Sequence, residues 1–157
     1  MAGIKQPESK PLALIDSNVL VYALVTNYPT TQLHEKCVAL LEKGLNGELD
    51  YILALNPIIV VEVFSAVRKI LSCDEAESRV GSLLRLRRLA FLTISKEACQ
   101  SSIEWAKEKN IPVNDALIAC SAIQHAELIY TMDEEHFRRL EDRGIKMLNP
   151  TSQTFKL

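Results

Sequence analysis

The stretch Leu12-Ala13-Leu14-Ile15-Asp16 decides the fold, because an apolar run ends there at an acid. Three further acids, Glu62, Asp115 and Asp133, also lie inside or at the edge of apolar segments. A carboxylate in such a place is costly to desolvate unless something positive lies beside it. Because the four acids are spread along the whole chain, the pattern predicts that folding gathers them at one site around a divalent cation.

The composition indicates a single globular domain. The 157 residues leave room for a proper core, and 48% of them are hydrophobic. No apolar run approaches the roughly 20 residues that a membrane helix needs, so we expect no membrane association. Residues 1–11 are polar and lack the apolar centre of a signal peptide, which favours a cytoplasmic location. With a net charge of −2, any nucleic-acid surface would have to be a local basic patch.

Strand-like apolar runs alternate with longer helix-like stretches, which is typical of an α/β protein with a parallel sheet. The pattern predicts one domain at residues 12–150, with a flexible N-terminal tail at 1–11 and a C-terminal tail at 151–157. The predicted strands are 12–15, 51–55, 91–94, 127–131 and 145–148. The predicted helices are 17–25, 31–45, 57–71, 74–89, 95–110, 115–126 and 134–142.

The predicted topology separates the four acids from the other acidic residues. Ligands of open parallel sheets bind outside the carboxyl ends of the strands, and Asp16 and Asp133 directly follow two of them. Asp115 opens a helix that is apolar around most of its circumference, where it could also be a simple helix cap. Glu62 lies within an apolar helix, where its alternative partner would be an arginine such as Arg68 or Arg138. Gathered carboxylates repel one another, and a hard cation such as Mg²⁺ removes that repulsion.

The ordered set of motifs resembles the PIN-domain family. Residues 16–20 (DSNVL) are similar to the family's opening after the first strand, and Val60-Val61-Glu62-Val63 is similar to its second acidic position. Residues 114–119 (NDALIA) resemble the start of the helix that carries the family's third acid. Thr131-x-Asp133, with Phe137 four residues later, resembles its last acidic segment. The resemblance covers about residues 12–150, which is nearly the whole chain.

The resemblance implies a metal-dependent endoribonuclease, most like the VapC-type toxins of toxin–antitoxin pairs. It implies a PIN-like three-layer α/β/α fold with a central, mainly parallel sheet of four to five strands. It also implies Mg²⁺ or Mn²⁺ as cofactor, RNA as substrate, a small antitoxin protein as partner, and a homodimer. Carried over by position, the catalytic and metal-binding acids would be Asp16, Glu62, Asp115 and Asp133, and Asn18 and Thr131 would be supporting polar residues.

One local departure leaves the fourth acid open. Glu134, Glu135 and His136 follow Asp133 directly, so more than one acid in that segment could reach the metal.

Basic side chains in three segments are candidates for binding RNA phosphates: Arg68, Lys69, Arg85, Arg87, Arg88 and Arg138. The alternative for each is an ordinary solvated helix face. Phosphate contacts would position RNA without reading its sequence.

The predicted helices at 57–71 and 76–89 carry more apolar residues than one core face needs. A homodimer or an antitoxin could cover the excess, and core packing is the alternative. The four cysteines show no metal-ligand spacing, so we expect buried structural thiols.

Other functions remain open from the sequence. A phosphoaspartyl enzyme of the haloacid-dehalogenase type would need a second Asp where this chain has Asn18. A housekeeping RNA-processing nuclease would keep the fold without an antitoxin. A non-catalytic PIN domain that binds RNA or protein is disfavoured because all four acids are present.

Overall fold

The computed structural model describes residues 10–152, and its centre is a five-stranded parallel sheet with the strand order β3-β2-β1-β4-β5. The strands are β1 (Leu12–Ile15), β2 (Ile52–Leu55), β3 (Ala90–Phe91), β4 (Leu128–Tyr130) and β5 (Met147–Leu148). Ala13, Leu14 and Ile15 of the central strand are 0% exposed, although successive side chains point to opposite faces. The sheet is therefore covered on both faces, as parallel sheets require, and the predicted α/β fold is confirmed.

The helices pack in two groups against this sheet. The first group is α1 (Ser17–Leu24), α2 (Thr31–Leu45), α3 (Pro57–Ile70) and α4 (Cys73–Leu84). The second group is α5 (Lys96–Lys109) and α6 (Val113–His125), with the short α7 (Glu134–Arg138) against α6. None of the described helices is both long and apolar enough to span a membrane.

Several predicted elements are shorter than expected; the strand predicted at 145–148, for example, is only Met147–Leu148. The helix predicted at 74–89 ends at Leu84, because the chain turns there through hydrogen bonds between residues three apart, such as Leu86 N to Leu83 O. The strand predicted at 91–94 is only Ala90–Phe91. The helix predicted at 134–142 divides into α7 and a 3₁₀ turn at Glu141–Arg143.

The cysteine prediction was half wrong. Cys37 and Cys120 are buried, and burial raises the pKa of Cys37 to about 12. Cys73 and Cys99 are exposed, because they lie on the solvent side of α4 and α5.

Most of the two predicted tails lies outside the described residues. Of the N-terminal tail, Lys10 and Pro11 are described, and both contact the domain. The backbone N–H of Ile52 donates to Pro11 O at 2.9 Å, which extends the β1–β2 ladder by one residue. The Lys10 ammonium donates to the carbonyls of Gly47 and Leu49.

The register of the sheet determines which side chains meet at its carboxyl edge. Leu14 is paired with Ala54 on one side, and Ile15 is paired with Tyr130 on the other. The residues that directly follow β1, β2 and β4 are Asp16, Asn56 and Thr131. They therefore lie side by side, and all three are buried.

Candidate active site

Asp16 lies at the centre of the carboxyl edge, between the end of β1 and the start of α1. Its Oδ1 accepts the backbone N–H of Ser17 at 2.7 Å, and its Oδ2 accepts the hydroxyl of Thr131 at 2.7 Å. Only 3% of the residue is exposed. Burial raises the pKa of Asp16 to about 7; the two hydrogen bonds lower the pKa, and the nearby charges of Asp115 and Glu62 raise it further. A buried carboxylate with this pKa needs positive charge beside it to stay ionised.

Glu62 faces Asp16 from the second turn of α3. The Ser17 hydroxyl lies 2.6 Å from Glu62 Oε2 and 3.4 Å from Asp16 Oδ1, so one serine links the two acids. The orientation of α3 is set at its start, where the N–H of Ile59 donates to the side chain of Asn56 at 2.9 Å. The sequence left an arginine open as the alternative partner of Glu62. Within residues 10–152 no arginine pairs with Glu62, and the partner of its carboxylate is the Ser17 hydroxyl.

The imidazole of His136 lies between Asp115 and Asp133 and contacts both carboxylates. His136 Nδ1 lies 2.6 Å from Asp115 Oδ2 and 3.0 Å from Asp133 Oδ2. Burial raises the pKa of Asp115, while the hydrogen bond and charge of His136 oppose the shift. Asp115 is not the helix cap, because that position is Pro112 and α6 has no side-chain capping bond.

The four predicted acids are thus brought together at one edge of the sheet. The charges of Asp115 and Glu62 act on Asp16, and the charges of Asp133 and Glu62 act on Asp115. Within the described part of the chain, no lysine or arginine forms an ion pair with any of these carboxylates. The donors are hard oxygen atoms plus one imidazole, which fits a divalent cation.

Thr131 and Asn18, the predicted supporting residues, connect the acids to the backbone. The Thr131 Oγ1 that donates to Asp16 accepts the N–H of Asp133 at 2.9 Å. Asn18 Oδ1 accepts the N–H of Met132 at 3.2 Å. The two side chains therefore hold the turn after β4 against α1.

Three site residues were missed by the sequence reasoning: Ser17, Asn56 and His136. Asn56 followed by Pro57 has the form of a helix start, with a capping side chain before a proline, and could have been identified. His136 lies three residues after Asp133, a spacing that places two side chains on one helix face. Ser17 gave no comparable signal, because its partner Glu62 is 45 residues away.

A groove of about 320 Å³ adjoins the acids between α1 and α3. Ser17, Asn18 and Glu62 form the end nearest the carboxyl edge, and Tyr22 and Tyr28 line its wall. The two tyrosine rings meet edge to face, with centroids 6.0 Å apart. The groove thus joins the Glu62 carboxylate to aromatic surface.

Of the predicted RNA-binding residues, Arg68, Lys69 and Arg138 lie on the helices that carry Glu62 and His136. Arg68 and Lys69 are exposed in the last turn of α3, the helix that carries Glu62. Arg138 is exposed on α7, where its guanidinium lies 3.7 Å from Glu134.

The other predicted arginines lie elsewhere. Arg87 and Arg88 line a pocket of about 420 Å³ with Ile52 and Ala90, the first residues of β2 and β3. That pocket is at the amino edge of the sheet, opposite the acids. Arg85 lines a separate groove with Asp74 and Glu77.

Several solved structures share this fold. VapBC2 from Rickettsia felis, bound to a DNA fragment from its promoter, has 22% identity and a TM-score of 0.64, covering 88% of this chain and 98% of that one. VapC20 of Mycobacterium tuberculosis, a toxin that cleaves the sarcin–ricin loop, has 8% identity and a TM-score of 0.64, covering 81% and 93%. FitAcB from Neisseria gonorrhoeae has 23% identity and a TM-score of 0.63, covering 88% and 97%. No curated protein matches the chain significantly.

The sequence itself matches a family model, the PIN domain, over residues 13–143. This range includes all four acids. It also includes β1 from Ala13 onward and the whole of β2, β3 and β4, but not β5. The chain therefore belongs to the PIN-domain family.

Proposed function

We propose that the protein is a metal-dependent endoribonuclease that hydrolyses RNA phosphodiester bonds. The observation that carries this proposal is the convergence of Asp16, Glu62, Asp115 and Asp133 at one sheet edge, without a lysine or arginine paired to them among residues 10–152. Family membership supports the proposal, and so does the RNA-cleaving activity of VapC20, which shares the fold.

The residues present fit Mg²⁺ or Mn²⁺ as cofactor, because the two ions prefer a few carboxylate ligands and keep further positions for water and phosphate oxygens. A divalent cation supplies there the positive charge that activates water and offsets charge developing on the scissile phosphate. Asp16, Glu62, Asp115 and Asp133 would hold it. Ser17 and Thr131 fix the orientation of the Asp16 and Glu62 carboxylates through their hydroxyls.

RNA would enter along the groove beside Glu62. Tyr22 and Tyr28 offer faces on which an unstacked base can stack, as single-stranded RNA is commonly held. Arg68 and Lys69 lie six and seven residues beyond Glu62 on α3, about 9–10.5 Å along its axis, within reach of neighbouring phosphates. Arg87 and Arg88 line a different pocket, at the other edge of the sheet from the groove that Glu62 lines.

The first experiment is cleavage of a structured RNA pool by the purified protein with Mg²⁺, with Mn²⁺ and with EDTA. Asp16→Asn is the test variant, and Asp50→Asn is the matched control because Asp50 is exposed beside the start of β2. Cleavage that requires metal, persists in the Asp50 variant and disappears in the Asp16 variant would support the nuclease. Equal cleavage by all three proteins, each purified free of contaminating nuclease, would refute the site.

Basic residues are tested by RNA affinity at several salt concentrations. The double variant Arg68→Ser, Lys69→Ser should bind more weakly and lower the slope of log K against log salt by about 1 per lost phosphate contact. The double variant Arg87→Ser, Arg88→Ser removes the same charge at the opposite edge and should leave the slope unchanged. Equal losses in both variants would contradict the proposed path of the RNA.

We further propose that this nuclease is the toxin of a toxin–antitoxin pair. Several solved proteins with this fold are toxin–antitoxin complexes, including one from Klebsiella pneumoniae. In this chain Val61, Leu71 and Leu84 of the α3–α4 region are 62%, 41% and 50% exposed, which leaves apolar surface for a small antitoxin or a second copy.

Induced expression in growing cells tests the toxin role. The wild-type protein should arrest growth, and Asp16→Asn should not. Metal-dependent cleavage in vitro without growth arrest would favour an RNA-processing nuclease that has no antitoxin.

The proposed homodimer is tested by size-exclusion chromatography with light scattering, where a monomer would refute it. A cytoplasmic location stays a prediction.

A further inference from the structure

His136 stands apart from the other polar side chains at the site. Ser17, Thr131 and Asn18 each make hydrogen bonds that orient an acid or a backbone segment. The imidazole of His136 also forms a hydrogen bond with an acid, but its Nδ1 lies between two carboxylates, 2.6 Å from Asp115 Oδ2 and 3.0 Å from Asp133 Oδ2. Ligand atoms of these three residues all lie within 4.8 Å of one another, which is the spacing of a metal-binding group.

The backbone around His136 supports this placement. Asp133 precedes α7 and His136 lies in that helix, so the two side chains project to the same side three residues apart. Asp115 faces them from the first turn of α6. The side chain of His136 is 28% exposed, so solvent and a hydrated ion can reach it.

We propose that His136 is a metal ligand, and that its imidazole makes the site prefer Mn²⁺ to Mg²⁺. This inference rests on the proposed function, because it concerns the same metal site. Mg²⁺ takes oxygen ligands almost exclusively, whereas imidazole nitrogen is a good ligand for the borderline transition ions. Two carboxylates and one imidazole therefore form a mixed oxygen and nitrogen donor set, which Mn²⁺ accepts more readily than Mg²⁺ does.

Two substitutions of His136 test whether its imidazole binds the metal directly. His136→Ala removes the ligand atom and should raise the Kd for Mn²⁺ at least about tenfold, since loss of even an outer partner of a metal ligand commonly costs 10- to 100-fold in affinity. His136→Asn offers an amide oxygen at a reach close to that of Nδ1. It should keep a metal site and move the Mg²⁺/Mn²⁺ affinity ratio toward Mg²⁺.

The control is His125→Gln at the exposed end of α6, which removes an imidazole remote from the three ligand atoms. All variants are first compared with wild type by circular dichroism, so that a misfolded protein is recognised. The His136 variants should fold, because the residue is partly exposed and lies on a peripheral helix.

Mn²⁺ itself is the probe. Its Kd is measured by isothermal titration calorimetry, with Mg²⁺ as competitor, and pulsed electron paramagnetic resonance detects a directly bound ¹⁴N. Wild type and His125→Gln should show the nitrogen coupling, and both His136 variants should lack it.

The outcomes separate this inference from the proposed function. Mn²⁺ bound by wild type without nitrogen coupling, or with the same Mg²⁺/Mn²⁺ ratio in His136→Asn, would overturn the role of His136 and leave the metal site intact. Failure of folded wild type to bind Mn²⁺ or Mg²⁺ would overturn both.

Discussion

Replacement of Asp16 by asparagine should stabilise the metal-free protein, by an amount that depends on pH. Burial raises the pKa of Asp16 from 3.8 to about 7. Each pKa unit corresponds to about 1.36 kcal/mol, so the roughly three-unit difference amounts to about 4 kcal/mol. That value already includes the hydrogen bonds from Ser17 and Thr131, since both contribute to the shifted pKa.

The direction follows from proton binding. Folded Asp16 holds its proton up to about pH 7, whereas the unfolded chain loses it near 3.8. The wild-type free energy of unfolding therefore falls as pH rises through this window, and above it the full penalty applies. The asparagine variant does not titrate and keeps an acceptor for Ser17 N–H. Its advantage should grow from near zero below about pH 4 to about 4 kcal/mol above about pH 7.

Urea denaturation in EDTA at a series of pH values measures this difference, with the midpoint and the slope m recorded for each protein. For a domain of this size, 4 kcal/mol corresponds to a rise in Tm of roughly 8–16 °C. The exposed Asp50→Asn variant should follow wild type at every pH. A difference that does not change with pH, or an Asp16 variant less stable than wild type at alkaline pH, would refute the argument.

Three further substitutions test how the acids are held. Ser17→Ala removes the hydroxyl that joins Asp16 and Glu62. It should weaken Mn²⁺ binding about 10- to 100-fold in calorimetry, with little change in Tm. Unaltered Mn²⁺ binding would contradict the role of this hydroxyl. Thr131→Val removes a hydrogen bond that lowers the pKa of Asp16, so the acid limb of the cleavage pH profile should move to higher pH; an unmoved limb would exclude that bond as a determinant. Asn56→Ala removes the cap of α3 and should lower the free energy of unfolding by about 0.5–2 kcal/mol in urea, while a neutral result would mean that the cap is dispensable.

The sequence predicted the part of the site that the sheet positions. Asp16 and Asp133 follow two predicted parallel strands, so alternation of strands and helices was enough to predict them at one edge, whereas Thr131 was carried over from the family resemblance. Glu62 and Asp115 were identified because an acid within an apolar helix needs a partner. The family resemblance is confirmed by the match over residues 13–143.

The remaining features depend on packing that the sequence does not display. The Ser17–Glu62 bond depends on how α1 lies against α3, and His136 meets Asp115 only because α7 packs on α6. Arg87 and Arg88 were predicted as RNA-binding residues because they form a local basic cluster with Arg85, within the helix predicted at 74–89. Its end at Leu84 turns them toward the opposite edge of the sheet.

Because β1 is the central strand, the backbone amide of Asp16 should be better protected against hydrogen exchange than the amides around Asp133 and His136. The Asp16 amide donates to Tyr130 O at 2.9 Å between fully buried strands, so its hydrogen should exchange with deuterium only through global unfolding. His136 belongs to a peripheral helix of five residues, which Asp133 directly precedes and which can open locally. Amides of residues 134–143 should therefore exchange orders of magnitude faster than that of Asp16. An ion leaving the site would then be released first on the α7 side, while Asp16 stays in place.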